Sequence, residues 1–281
     1  MNEVLKAALF ALGSAAAWGA GDFSGGLASR RSSPISVTLV SNPVGLLCLM
    51  LLAVLQHAAP PTTHDMTVGF AAGACGATGL LVFYRALSSG KMGVVAPVTA
   101  VVANVVSVLF GAFSEGMPKP IQLTGFVLAI LGVWVISKPA TGARASFHDF
   151  LPALFSGFAF GAFFILTAQF QSADFSWALV VARVGTITVT VIAALATRHQ
   201  FKLERSSLPL AFLAGGLDSF GNLFFALATS VGRLDVGSAL SSLYPVTTVI
   251  LAIVVLHERL SRMQGIGAVM ALVSIPLIVG F

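Results

Sequence analysis

Apolar runs of about twenty residues recur along the whole chain with almost no charge inside them, and that length is what an α-helix needs to cross the hydrocarbon of a bilayer. Breaking the sequence where charges, Pro and Ser cluster gives ten such spans. They run at about Ala7–Ala28, Ile35–Gln56, Met66–Ser88, Gly93–Ser114, Ile121–Ser137, Leu151–Phe170, Ser176–Thr197, Leu208–Ser230, Val236–Leu256 and Met263–Phe281. Ten spans with short connections use up 281 residues and leave no room for a soluble domain. Composition agrees: 57% of the residues are hydrophobic and 9% charged, where a soluble domain carries about 25% charged. A water-soluble fold of this chain would expose apolar surface over most of its exterior. Pro34, Pro120, Pro152 and Pro209 stand at or near the starts of spans, where a missing N–H costs nothing.

An internal repeat organises these spans. Ala11-Leu12-Gly13-Ser14-Ala15-Ala16-Ala17-Trp18-Gly19-Ala20 recurs 142 residues later as Ala153-Leu154-Phe155-Ser156-Gly157-Phe158-Ala159-Phe160-Gly161-Ala162. At the same offset Gly73, Gly79, Phe83 and Ala86 match Gly215, Gly221, Phe225 and Ala228, and Gly90-Lys91-Met92 matches Gly232-Arg233-Leu234. Glu115 pairs with Glu258 one residue further on. Lys6 and the small residues after it resemble a secretory leader, but a disposable leader has no reason to be duplicated. The expected units are a five-helix repeat over 1–140, a linker over 141–150 and a second five-helix repeat over 151–281. Five is odd, so the second copy enters the membrane from the opposite side. The expected fold is therefore all-α and integral to the membrane, with ten transmembrane helices in two inverted repeats of the kind secondary transporters use.

Lys6, Lys119 and Arg233 fall on one side of these spans; Arg30, Arg31, Lys91, Lys138, Arg144, Arg198, Lys202, Arg205, Arg259 and Arg262 fall on the other. Three against ten makes the second side cytoplasmic by the positive-inside rule and puts both termini outside a cell membrane. Basic residues dispersed as topology marks do not form a nucleic-acid surface, so no nucleic-acid partner is expected. Cys48 and Cys75 lie in apolar stretches, and no Cys or His stands at metal-ligand spacing from either, so neither a metal nor a cofactor is expected.

Four ionisable residues fall inside the spans: Asp22, Arg85, Arg183 and Asp218. Each is costly in hydrocarbon and so is a candidate for function. Arg85 sits near a span end, within snorkelling reach of the interface. Arg183 is deeper; it either pairs with an aspartate or faces a cavity. Ser14, Trp18 and Asp22 lie four apart along one helix face, as do Asp218 and Asn222. The second copy carries Ser156, Phe160 and Phe164 on the first of these stripes, so the aspartates lack repeat-related counterparts. Either they cap a broken helix or pair with Arg183, or they belong to a solute or proton site, which need occur only once. Pro97 with Asn104, and Ser238, Ser241, Ser242 and Tyr244 with Pro245, mark two helices whose kinks either line a cavity or serve packing. Gly pairs three or four apart, such as Gly21 with Gly25, Gly69 with Gly73 and Gly157 with Gly161, permit close helix contact. Gly19-Ala20-Gly21-Asp22 fits the Gly-x-Gly-Asp of intramembrane aspartyl proteases, but the accompanying Tyr-Asp and Pro-Ala-Leu motifs are absent, and no enzyme is expected.

Trp18-Gly19 and Phe160-Gly161, Ala86-Leu87, Tyr244-Pro245 followed by His257-Glu258-Arg259-Leu260-Ser261, and the element from Gln122 to Gly125 occur in the order seen in the EamA-like family of the drug/metabolite transporter superfamily. The chain resembles that family over nearly its whole length. The resemblance implies ten helices around a cavity lined mainly by the first, third, fourth, sixth, eighth and ninth, and export or exchange of small metabolites or drugs. Mapped here, the cavity holds Trp18, Asp22, Tyr84, Asn104, Phe160, Asp218, Asn222 and Tyr244, with Arg183 as a charge partner. The resemblance gives Glu115 and Glu258 a helix-end or interfacial role rather than a binding one. The primary expectation is a secondary active transporter of a small solute in the lipid bilayer, with proton coupling through Asp22 and no demand on oligomeric state. The alternative is a membrane scaffold or regulatory protein whose aspartates only pair internally.

Overall fold

The computed structural model describes residues 3–88, 92–136, 147–172, 175–256 and 261–279, and every regular element among them is helical. The helices are α1 (Glu3–Ser29), α2 (Pro34–Leu55), α3 (Thr63–Ser88), α4 (Met92–Glu115), α5 (Pro120–Ile136), α6 (Phe147–Thr167), α7 (Ser176–Ala196), α8 (Leu208–Val231), α9 (Leu234–Ser241), α10 (Tyr244–Leu256) and α11 (Arg262–Val279). A 3-10 turn, Arg205–Ser207, precedes α8. Among the described residues, seven segments are long and apolar enough to cross a membrane: Glu3–Ser29, Pro34–Leu55, Thr63–Phe83, Val98–Glu115, Ser176–Ala196, Arg205–Val231 and Arg262–Val279. Pro120–Val135 and Leu151–Thr167 are shorter apolar helices. Large apolar side chains such as Leu51, Leu109, Ile192 and Leu272 point outward, the surface lipid demands and water would not tolerate.

The expected ninth span, Val236–Leu256, is two helices. Pro245 has no N–H to give the Ser241 carbonyl four residues back. The backbone tightens instead, with Leu243 N donating to Leu240 O at 3.2 Å and Val246 N to Leu243 O at 2.9 Å, and α10 starts afresh at Tyr244. Pro43, Pro152 and Pro276 sit inside α2, α6 and α11 without ending them. Helix α6 begins at Phe147, inside the expected linker, whose residues 141–146 lie outside the described residues, as does Glu258.

The packing joins the two halves everywhere. Helix α1 lies along α8 and α3 along α6, the same pair viewed from each repeat, and α2 meets α7 and α5 meets α11. Those last two pairs are repeat mates, and both run antiparallel. Ser36 meets His199, Asn42 meets Thr190 and Gln56 meets Ser176 along α2 and α7. Gln122 donates to Ile278 O at 3.0 Å at one end of α5, and Gly132 abuts Ala271 further along. Glycines make the close approaches. A Cβ at Gly73 would strike the Ala182 carbonyl of α7, and one at its mate Gly215 would strike the Ser41 carbonyl of α2.

One end of this bundle gathers the α1–α2 and α7–α8 connections, with Glu204 N donating to Ser32 Oγ at 3.0 Å and Ser207 Oγ to Ala28 O at 3.2 Å. Arg30, Arg31, Arg198, Lys202 and Arg205 belong to these connections. Gly232 abuts Ala7 toward the other end, roughly 30 Å away along α1. There Arg233 ties the α4–α5 connection to α9. It donates to Glu115 O at 3.0 Å and Gly116 O at 2.6 Å and pairs with Asp235 at 2.7 Å. The paired Asp235 carboxylate holds its guanidinium above the ordinary arginine range. Glu115 does take a helix-end role: its carboxylate accepts the N–H of Leu234, the first residue of α9.

Candidate functional site

A cavity of about 140 Å³ lies between the halves, walled by α1, α2, α3, α6, α7, α8 and the first residue of α10. Trp18, Asp22, Phe160, Arg183, Asp218, Asn222 and Tyr244 all line it. Asn104 does not. Its helix turns that residue toward α5 and α9, where it is 2% exposed beside Ser242 and Leu243, and among the described residues its Oδ1 has no hydrogen-bond partner. The Tyr84 and Arg85 side chains lie outside the described residues. Among the described residues α4 contributes nothing to the cavity wall, whereas α2 and α7, which the resemblance did not emphasise, contribute Thr38, Ser41, Asn42, Arg183 and Thr186. The signal for α2 stood in the sequence as Ser41-Asn42-Pro43, three polar or helix-disturbing residues in the middle of an apolar span.

The charged wall is built around Arg183, which is buried at 4% exposure. Its Nη2 pairs with Asp218 Oδ2 at 2.6 Å and donates to Ser219 Oγ at 2.9 Å, while Nη1 reaches Asn42 Oδ1 at 3.4 Å. Asn42 is itself held, its Nδ2 donating to Thr190 Oγ1 at 3.3 Å. Gly45 leaves room for this network, since a Cβ there would collide with Ser219 Oγ and lie 3.3 Å from the guanidinium carbon. A buried guanidinium is tolerable in this setting because it is both paired and hydrogen-bonded. Asp218 shows 46% of its side chain to the cavity. Of the two places sequence left open for Arg183, it occupies both, pairing with an aspartate on the cavity wall.

Asp22 is different. It lines the same cavity close enough to Asp218 for the two carboxylates to repel, yet among the described residues no hydrogen bond or ion pair reaches it. One turn away, Trp18 donates its Nε1–H to Asn222 Oδ1 at 2.9 Å and stacks on Phe164 with ring centroids 5.6 Å apart and planes 23° apart. Phe163 and Phe225 close around the same indole. The fit depends on Gly221, where a Cβ would enter the indole ring; its mate Gly79 lies against Phe160, the mate of Trp18. The site thus offers an ion pair, a second and unpaired carboxylate, and an aromatic floor.

Comparison with known proteins adds three findings. The sequence profile of the EamA-like transporter family matches residues 5–138 and again residues 150–280. A search of curated protein sequences finds no match. Solved structures do match, 28 chains in number; one crystal structure of a protein aligns over 97% of this chain and 97% of its own with a TM-score of 0.80 at 17% identity, a likeness of fold alone.

Proposed function

The chain belongs to the EamA-like transporter family and is a multi-pass membrane protein of two repeats, and from that premise we propose that it is a secondary active transporter of a small solute, working by alternating access around the central cavity. In this reading the ten sequence spans cross a cell membrane, α9 and α10 together forming one of them, with 1–140 and 151–281 as the two units. The termini lie outside, because the basic residues concentrate at the opposite end. The two halves rock about the site, and Trp18, Asp22, Phe160, Asp218, Asn222 and Tyr244 contact the solute. Asp22 exchanges a proton.

The observation that carries the reading is the placement of the Asp22 carboxylate, unpaired among the described residues, in a cavity walled by both halves. A charge left without a partner in such a place costs stability, and a transport site is a reason to keep it. Antiparallel repeat mates supply two related arrangements of the same helices, which alternating access requires.

Reconstituted in liposomes loaded with a labelled small-molecule extract of its host cells, the protein should release one class of solute faster than protein-free liposomes do, and Trp18→Ala should abolish the difference. Release no faster than from protein-free liposomes for every solute in the extract would refute the transporter reading and leave a scaffold.

A further inference from the structure

The repeat makes the cavity symmetric in backbone while the chemistry is lopsided. At the 142-residue offset the mates of Asp22, Asp218 and Arg183 are Phe164, Gly76 and Ser41, and all six line the same cavity. Every charge in one set is answered in the other by an apolar or neutral residue. The formal charge of the described lining is one positive and two negative groups, a net charge of −1.

Where that charge sits decides what the cavity accepts. Arg183 is occupied on three partners, so an anionic solute would have to displace Asp218 from a 2.6 Å contact and face Asp22 uncompensated. A zwitterion leaves the net charge unchanged. A monocation brings the described lining to neutrality and meets the carboxylate that has no partner among the described residues, and low dielectric makes that pairing far stronger than in water. The remaining wall, with Trp18, Phe160 and Phe164, suits the flat or greasy body of the same solute.

We propose that the occupant is an amphipathic organic cation, a protonated amine on an aromatic or alkyl body, with its ammonium against Asp22 and its apolar part against Trp18, Phe160 and Phe164. The proposal rests on the transporter reading for its purpose, but binding and movement are measured separately. Three near-isosteric probes differ in charge: 2-phenylethylamine, protonated at neutral pH, 2-phenylethanol, and 3-phenylpropionate. Equilibrium binding of each, tritiated, is measured on the full-length protein in nanodiscs at neutral pH, with empty nanodiscs subtracted for partition into lipid. The amine should bind at least about tenfold more tightly than the alcohol, and the carboxylate weakest of the three. Asp22→Asn should bring amine and alcohol within about twofold of each other, and Asp22→Glu, which keeps the charge, should restore the preference. The two variants also separate lost charge from lost fold, since both must elute as the wild type does. Equal affinity for amine and alcohol, tighter binding of the carboxylate, or an unchanged ratio in Asp22→Asn overturns the proposal. Counterflow of the same probes in liposomes separates the two claims. Charge-selective binding without flux supports the site and refutes transport, whereas flux that favours the carboxylate supports transport and refutes the cation.

Discussion

Replacing Asp218 by Asn keeps the shape of the side chain and removes the countercharge of a guanidinium that is 4% exposed. Breaking a fully buried pair on one side costs about 3–5 kcal/mol, because the remaining charge stays desolvated. Two features reduce that here. Asp218 turns 46% of its side chain into the cavity, where solvent already weakens the pair, and Arg183 keeps Ser219 and Asn42 as hydrogen-bond partners. About half the buried figure, on the order of 2 kcal/mol, is the expected loss. For a chain of 281 residues that lowers the melting temperature by about 3 °C. Thermal unfolding of the detergent-solubilised protein, followed by a thiol-reactive dye on Cys48 and Cys75, reads it directly. Arg183→Gln alone should lose a similar amount, and the double variant should recover part of it, since no unpaired charge is left. A shift below about 1 °C for Asp218→Asn, with the double variant simply additive, would refute the account of Arg183 as a charge that needs Asp218.

Gly221→Ala should drive a methyl group into the Trp18 indole, break its hydrogen bond to Asn222 and cost about 1–3 kcal/mol, read by the same melts; an unchanged melting temperature would count against the close fit. Pro245→Ala returns an N–H to the Ser241 carbonyl and should fuse α9 with α10, raising the melting temperature while slowing transport at unchanged solute affinity; unaltered flux would remove the break from the mechanism. Cysteines placed as Asn2→Cys and Gln200→Cys in intact cells should react with an impermeant reagent at position 2 alone; labelling at position 200 alone would invert the orientation.

The helical plan was legible because lipid forces every span to be apolar, and hydropathy records that requirement without help from tertiary contacts. The charged cavity residues stood out for the converse reason: Asp22, Arg183 and Asp218 are costly enough in hydrocarbon that sequence alone marks them. Neutral polar residues mark a span without saying which neighbour it faces. Asn104 faces α5 and α9 while Asn42 faces the cavity, and an amide in a helix reads the same in either place until the packing is known. The break after Ser241 escaped a hydropathy reading that kept Val236–Leu256 whole, since losing one backbone hydrogen bond changes no side chain's polarity. Which aspartate Arg183 joins is likewise a matter of helix neighbours, and only the α7–α8 contact selects Asp218.

The unequal distribution of charge between matched positions also governs populations. Two arrangements of a perfectly duplicated chain would be related by a two-fold rotation about an axis in the membrane plane and equal in free energy, each occupied half the time. Here one repeat-related set holds Asp22, Asp218 and Arg183, and the other Phe164, Gly76 and Ser41, so exchanging the halves does not regenerate the same interactions. A bias of only about 1.4 kcal/mol leaves one arrangement ten times more occupied than the other. If the protein works by the proposed alternating access, its resting state should open toward one compartment, and neutralising Asp22 should shift that balance before any solute is carried.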